Sequence, residues 1–328
     1  MNPRRAILLA GAASALGGRV WAQPAPYPSR PLKWIVPFPP GGPTDAFSRP
    51  VAAKLAEVLG QPVVCENVPG AGASIGMERV ARSAPDGYTI GLATTGTHTI
   101  NPHLYGARLP HDTSRDFTPL TLCARYVNIL IVNPKVPVSS AAELVEYAKA
   151  NPGTVTFGSA GNGSSNHLSG EALKLVSGAP MQHIPYRGSA LALADVMAGN
   201  ITFMFDALVT GMPPVQAGRV RALAVTSERR SPYASQVPTM AEAGIRGFSE
   251  VSTDMWFGMV GPAGLPKPVL AKLNETLIRA LRSTEVRERV AAQGFELWTS
   301  TPDEFAAVIR ADRDRWGRIV KASGAKID

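Results

Sequence analysis

Residues Pro37–Asp45 read PFPPGGPTD. The apolar run Leu32-Lys33-Trp34-Ile35-Val36 precedes them. Ala46-Phe47-Ser48-Arg49-Pro50-Val51-Ala52-Ala53-Lys54-Leu55, with helical character, follows. The stretch is therefore a strand-to-helix connection. Gly41 and Gly42 lack a Cβ, so the backbone can turn sharply there and a ligand can approach it closely. Thr44 or Asp45 is placed to cap the helix. The first-turn N–H groups then face open space with the positive end of the helix dipole behind them, an anion site made from main chain. The prolines stiffen the loop, so less freedom is lost on binding. The plainer alternative is a turn that only redirects the chain.

The same unit recurs. Pro62–Glu66 reads as a strand, followed by Pro69-Gly70-Ala71-Gly72 and a helix over Ile75–Arg82. Tyr88–Ala93 leads into Thr94-Thr95-Gly96-Thr97-His98, and Asn128–Val132 leads toward a helix opened by Ser139–Glu143. Thr154–Phe157 precedes GSAGNGSSNHL, Gly158–Leu168, whose helix stops at Gly178. His183–Pro185 runs into Tyr186–Ser189 and a helix over Ala190–Met197; Ile201–Phe205 and Arg221–Val225 are further strands. This alternation predicts an α/β fold with parallel sheets covered by helices. In such sheets ligands bind beyond the carboxyl ends of the strands. The loops at Pro37–Asp45, Thr94–His98, Gly158–Ser165 and Tyr186–Ser189 all lie at such ends. The last segment, Pro266–Asp328, reads as helical with a strand-like break at Phe295–Trp298. Its stripe of Leu270, Leu273, Leu277 and Leu281 is packing.

Gly161-Asn162-Gly163-Ser164-Ser165 repeats the physics of the first loop with hydroxyl donors added. His167 can orient a ligand group or be a hydrogen-bonded core histidine. Arg187 is the one cation beside a candidate loop, able to pair with a carboxylate or to sit in solvent. Asp206, after Ile201–Phe205, can accept a hydrogen bond from a ligand or water, or cap a turn.

Several chemistries lack their signatures. There is no GxxxxGK[ST] phosphate loop and no GxSxG elbow. Gly70–Gly76 is GxGxxxG behind a proline turn, the wrong spacing for a dinucleotide. His98 and His103 flank Asn101-Pro102, which argues against a shared helical register, and no metal or cofactor is expected. The basic residues are dispersed apart from Arg229-Arg230, which speaks against nucleic acid. The chain of 328 residues is 45% hydrophobic and carries a net charge of +8. Arg4-Arg5, the apolar Ala6–Leu16 and the small residue Ala22 read as an export signal over residues 1–22, by the general secretory rather than the twin-arginine route. Its removal takes three arginines and leaves +5, a modest field that helps collect anions. The two cysteines, Cys65 and Cys123, can pair or remain buried thiols.

Taken in order, these motifs resemble the Bug/TctC family, the extracytoplasmic solute receptors of tripartite tricarboxylate transporters. The residues that carry it are Tyr27-Pro28-Ser29-Arg30-Pro31, VPFPPGGPTD, Cys65–Ala73, Ala84-Pro85-Asp86-Gly87-Tyr88-Thr89 and Asn101–Tyr105, then Tyr186-Arg187-Gly188, Arg221–Thr226 and Trp256-Phe257-Gly258. The resemblance implies a type II periplasmic-binding-protein fold, with two α/β lobes, parallel-rich sheets and two crossovers. Lobe I would comprise residues 27–125 plus 251–328, and lobe II residues 126–250. The crossovers would fall near Tyr126–Asn128 and Glu250–Met255. It also implies a ligand held by the first-lobe loop Phe38–Asp45, with Pro40, Gly41 and Gly42, and by the second-lobe loop Ser159–Ser165, helped by Tyr186–Ser189 with Gly188. Cys65, Gly-Asn-Gly-Ser-Ser and Arg187-Gly188-Ser189-Ala190 depart from the usual family pattern and bear on ligand identity.

The expectation is thus a monomeric, non-catalytic periplasmic receptor that closes on a small organic acid and presents it to membrane permease subunits. Thr44, Ser164, Ser165 and Asp206 would tune selectivity, and Thr95 would join the ligand-binding residues. The rivals are an exported enzyme acting on a carboxylic acid, for which His167 with Ser164 or Ser165 is the one available pair, and a ligand adaptor for a sensor kinase.

Overall fold

The computed structural model describes residues 27–251 and 255–325; the expected export signal lies outside them. β1 (Leu32–Val36) buries Leu32, Trp34, Ile35 and Val36 and exposes only Lys33. A strand buried on both faces belongs in the middle of a covered sheet, and β1 lies between β2 (Val63–Asn67) and β3 (Thr89–Thr94), parallel to both. Between β1 and β2 runs α1 (Pro43–Leu59), closed by a left-handed Gly60. Its start corrects the expected cap. Gly42, extended at φ −89° and ψ 176°, is the N-cap, with Pro43 in the first turn; having no side chain, it makes no side-chain cap bond. Thr44 and Asp45 are one and two residues further in.

After α2 (Ser74–Ala81) and β3, the chain does not form the loop expected over Thr94–His98. A π-helical turn over Gly96–Ile100 runs straight into α3 (Asn101–Tyr105), with Pro102 in the first turn. Proline there breaks nothing, since it removes a donor that no helical carbonyl needs. Two strands then close the sheet in the antiparallel sense: β4 (Phe117–Tyr126) and, far along the chain, β10 (Met255–Pro262), which pairs with β3 and β4.

A single residue, Val127, separates β4 from β5 (Asn128–Val132), an inner strand of a second sheet. On β5, Leu130 and Val132 enter one core while Ile129 and Ile131 enter the other, the period-two alternation of a strand. The remaining elements are α4 (Ala141–Ala150), β6 (Thr156–Ser159), α5 (Ser165–Ser177), β7 (Gln182–Pro185), α6 (Ser189–Ala198), β8 (Phe203–Ala207), α7 (Leu208–Gln216), β9 (Arg221–Val225) and α8 (Phe248–Val251). The order is β7-β6-β8-β5-β9, with β6 parallel to its neighbours and β5 antiparallel to both of its own. The second expected crossover falls partly on residues outside the described set. The chain then returns through β10, α9 (Lys267–Leu281), α10 (Thr284–Ala292), β11 (Glu296–Leu297) and α11 (Pro302–Ser323) to the first sheet, ordered β11-β4-β10-β3-β1-β2. α11 starts with a full capping box between Thr301 and Glu304, with Pro302 in the first turn. The result is a two-lobed α/β protein with mixed sheets. Cys65 and Cys123 are both free thiols.

Candidate functional site

Between the two sheets lies a cavity of about 280 Å³. One wall comes from the first sheet's side: Phe38, Pro39 and Pro40 of the opening loop, Gly42 and Thr44 at the start of α1, and Thr94 at the end of β3. The opposite wall is Ala160 and Ser164–Asn166 at the start of α5, with Arg187–Leu191 at the start of α6. Tyr126 and Phe257, rings tilted against each other at 4.6 Å between centroids, line it where β4 ends and β10 begins. Three helix N-termini therefore open on one space, where two were expected. Arg187 is the only charged residue lining it among the described residues.

Each start is built differently. α1 begins at Gly42, and Asp45 in its first turn turns back into the loop. Its carboxylate accepts the Gly41 amide at 3.2 Å and the Arg49 guanidinium at 2.8 and 2.9 Å, while Asn67 Nδ2 bonds both Asp45 Oδ1 at 3.0 Å and the Phe38 carbonyl at 2.9 Å. Burial opposes that charge, but the bonds from Arg49, Asn67 and Gly41 outweigh it and hold the carboxyl below the usual range. Asp45 is thus a brace for the loop rather than part of the cavity wall. Arg49 and Asn67 share this role.

α5 is capped by Ser164, whose Oγ accepts the His167 amide at 3.3 Å and donates to the Gly161 carbonyl at 2.7 Å. Below it, His167 Nδ1 accepts the Gly163 amide at 3.2 Å, and its ring stacks on His183 at 4.0 Å. Burial, then the neighbouring His183 and Lys174 charges, push His167 down to about 2, so it is neutral. Ser159 Oγ meets His183 Nε2 at 2.7 Å and accepts the Gly161 amide at 3.1 Å. Ser159, Gly161, Gly163 and His167 thus shape the loop from behind and do not line the cavity. The pair considered for an enzyme is engaged this way as well. α6 follows Gly188, at φ 117° and ψ 154°, with no side-chain cap.

Thr44 and Ser189 are 4% and 3% exposed, line the cavity from opposite sides, and have hydroxyls without a protein partner. Buried hydroxyls in that state are waiting for an acceptor or donor. Thr95 lies behind Thr94, its Oγ1 accepting the Trp256 amide at 2.8 Å. Asp206 is inside β8, fully buried beneath Asn166, whose Nδ2 donates to the Phe205 carbonyl at 2.7 Å. Gly41 and Asn162 do not line the cavity either; the Asn162 carbonyl faces Gly72 across the gap between lobes. Tyr126, Asn166, Leu191 and Phe257 complete the walls and were not among the expected site residues, whereas Ser189 closes the expected Tyr186–Ser189 loop. Ser189 and Leu191 obey the same helix-start rule as Gly42. Tyr126 and Phe257 sit on strands with no local signal.

On the far side of the crossover is a second cavity of about 830 Å³. Tyr126 borders it too, with Arg125, Arg230, Tyr233, Trp256 and Trp298. Arg125 lies over the Trp298 ring at 3.7 Å, and Trp256 Nε1 donates to Asp312 Oδ2 at 2.7 Å. No helix among the described residues is long and apolar enough to cross a membrane.

The profile of the tripartite tricarboxylate transporter family receptors matches residues 47–325. Protein BugT of Bordetella pertussis is 36% identical over 301 residues, 92% of this chain and 91% of its own. Among solved structures, a Rhodopseudomonas palustris protein with adipate matches at TM-score 0.87 and 35% identity, covering 92% of this chain and 100% of that one. MatC of Rhodopseudomonas palustris, with bound malate, matches at TM-score 0.85 and 32% identity, covering 90% and 100%.

Proposed function

This chain belongs to the tripartite tricarboxylate transporter receptor family, and on that premise we propose that it captures a small organic acid in the cleft between its sheets and presents it to that transporter's membrane permease subunits. The observation that carries this is the convergence of three helix starts and one arginine, with no acidic side chain, on the 280 Å³ cavity. The adipate and malate held by the two structural relatives fit the same chemistry. In this reading the protein is exported to the periplasm, loses residues 1–22, and works as a monomer without catalysis. Its lobes, residues 27–125 with 251–328 and residues 126–250, close around the carboxylate.

A thermal-shift screen of the purified mature protein against organic acids tests the proposal. A ligand at about 100 times its Kd stabilises the folded state by about 2.7 kcal/mol, enough to move the melting point by several degrees. Gly42→Val should abolish the shift and leave a cooperative melt. Gly42 has an ordinary extended φ, and an added Cβ would meet only Ser189 Oγ at 3.6 Å and the Pro39 carbonyl at 3.9 Å, so the fold tolerates it while the extra methyls enter the cavity. A panel of acids that leaves the melting point unmoved refutes the reading. Product appearing by NMR on incubation with a bound acid would favour the enzyme instead.

A further inference from the structure

We infer that the cleft is polarised: it takes one carboxylate at the α5/α6 end and an uncharged apolar body, aromatic or branched aliphatic, against the α1 side. The inference rests on the carboxylate reading above and narrows it to monocarboxylates.

The three helix starts are not equivalent. At α1, Pro43 has no N–H and the Asp45 amide already bonds the Gly42 carbonyl at 3.1 Å. A resident carboxylate, Asp45, complements that dipole through the Gly41 amide. An incoming anion there meets the Asp45–Arg49 ion pair, whose carboxylate already occupies the Gly41 amide. α5 and α6 carry no acidic residue in their first turns. Arg187 lies immediately before the Gly188 cap of α6. The independent sign of a ligand at this end is the Ser189 hydroxyl, 3% exposed, unpartnered and lining the cavity.

The rest of the wall suits hydrocarbon. Phe38, Pro39, Pro40, Tyr126 and Phe257 offer faces without charge. A second carboxylate stripped of water against these groups would find no cation and cost several kcal/mol. Thr44 Oγ1 can take a hydroxyl or carbonyl of the body, but it cannot neutralise a charge. An apolar cavity of about 150 Å³ admits benzene, so 280 Å³ leaves room for an aromatic ring and its carboxylate.

Isothermal titration of the mature protein with benzoate, phenylacetate and 3-methylbutanoate, against adipate and malate, decides the matter. The best monocarboxylate should bind at least tenfold tighter than either diacid. Arg187→Gln should weaken that monocarboxylate about tenfold. Asp45→Asn keeps the side chain's size, removes the carboxylate and leaves the Arg49 guanidinium without its counter-charge, so the affinity for adipate relative to the monocarboxylate should rise at least threefold. Adipate or malate binding tighter than every monocarboxylate overturns the inference and leaves the carboxylate receptor standing. An unchanged ratio in Asp45→Asn, or undiminished binding in Arg187→Gln, overturns the assignment of the poles. No binding of any acid by a protein that melts cooperatively removes the receptor reading and the inference with it.

Discussion

Asp206 is fully buried beside Asn166, with one carboxyl oxygen unpartnered. Burial pushes its pKa up to about 7, moderated by bonds from Thr210, the Ala207 amide and Asn166. A carboxyl raised in the folded state stabilises it when protonated. The contribution is complete below the unfolded value of about 3.9 and is lost as pH rises through about 7. The size is on the order of 4 kcal/mol at about 1.4 kcal/mol per unit. Melting temperature should therefore decline between pH 4 and pH 7 more steeply in the native protein than in Asp206→Asn. Parallel pH profiles would show that the carboxyl is ionised and solvated. As a residue at a strand end, Asp206 was legible as polar in an apolar run. Its depth beneath Asn166 was not, because burial depends on α5 packing across β8 and no local pattern reports that.

The start of α5 shows what a cap does when it also borders a binding cleft. Ser164 satisfies the His167 amide and the Gly161 carbonyl with one hydroxyl. Ser164→Ala should cost about 1 kcal/mol of stability. Ser164→Asp should retain the cap, since a carboxylate accepts the same amide, yet place a fixed anion where the solute's belongs. Near-native melting with organic-acid binding lost is the expected outcome, measured by calorimetry and titration. Binding that survives in Ser164→Asp would move the anion site away from α5. At this scale the sequence reads well where structure is local. β1, β5 and β9 coincide with the expected strands, and Gly178 ends the helix it was expected to end. The failures were non-local. β10 is buried along its whole length and reads MWFGMVGP, with no alternation to reveal a strand; its partners β3 and β4 lie more than a hundred residues upstream. The segment after Thr94 looked like a loop because Gly96 and Pro102 are ordinarily breakers. Packing against α11 and a proline-tolerant first turn made it helical.

The two lobes meet along a line of missing side chains. A Cβ on Gly72 would stand 2.4 Å from the Asn162 carbonyl oxygen, one on Gly96 2.6 Å from the Gly163 carbonyl oxygen, and one on Gly163 1.9 Å from Asn101 Oδ1. Gly188 would press on Pro39 at 2.9 Å. Each pair joins an element of the first sheet's side to one of the second, so the closeness of the lobes depends on glycine at these points. Gly96 is the clean test, because its own backbone has no left-handed strain and its obstacle is main chain. Gly96→Ala should hold the lobes apart, with a larger radius of gyration by X-ray scattering in the presence of ligand and a weaker Kd, while the melt stays cooperative. Unaltered scattering and affinity would mean the contact yields at no cost. The two-lobed plan was legible through the family resemblance; these cross-lobe approaches were not, since each joins residues 60 to 150 positions apart.

Tyr126 has a second consequence. It borders the 280 Å³ cleft in front and the 830 Å³ hollow behind, one residue before the chain passes from sheet to sheet. A tyrosine that serves as a partition between two rooms cannot be altered for one of them alone. Trimming it would enlarge the front chamber, remove support from Phe257 and open a passage toward Trp256 and Trp298, so the phenotype of any Tyr126 variant is a sum over both chambers.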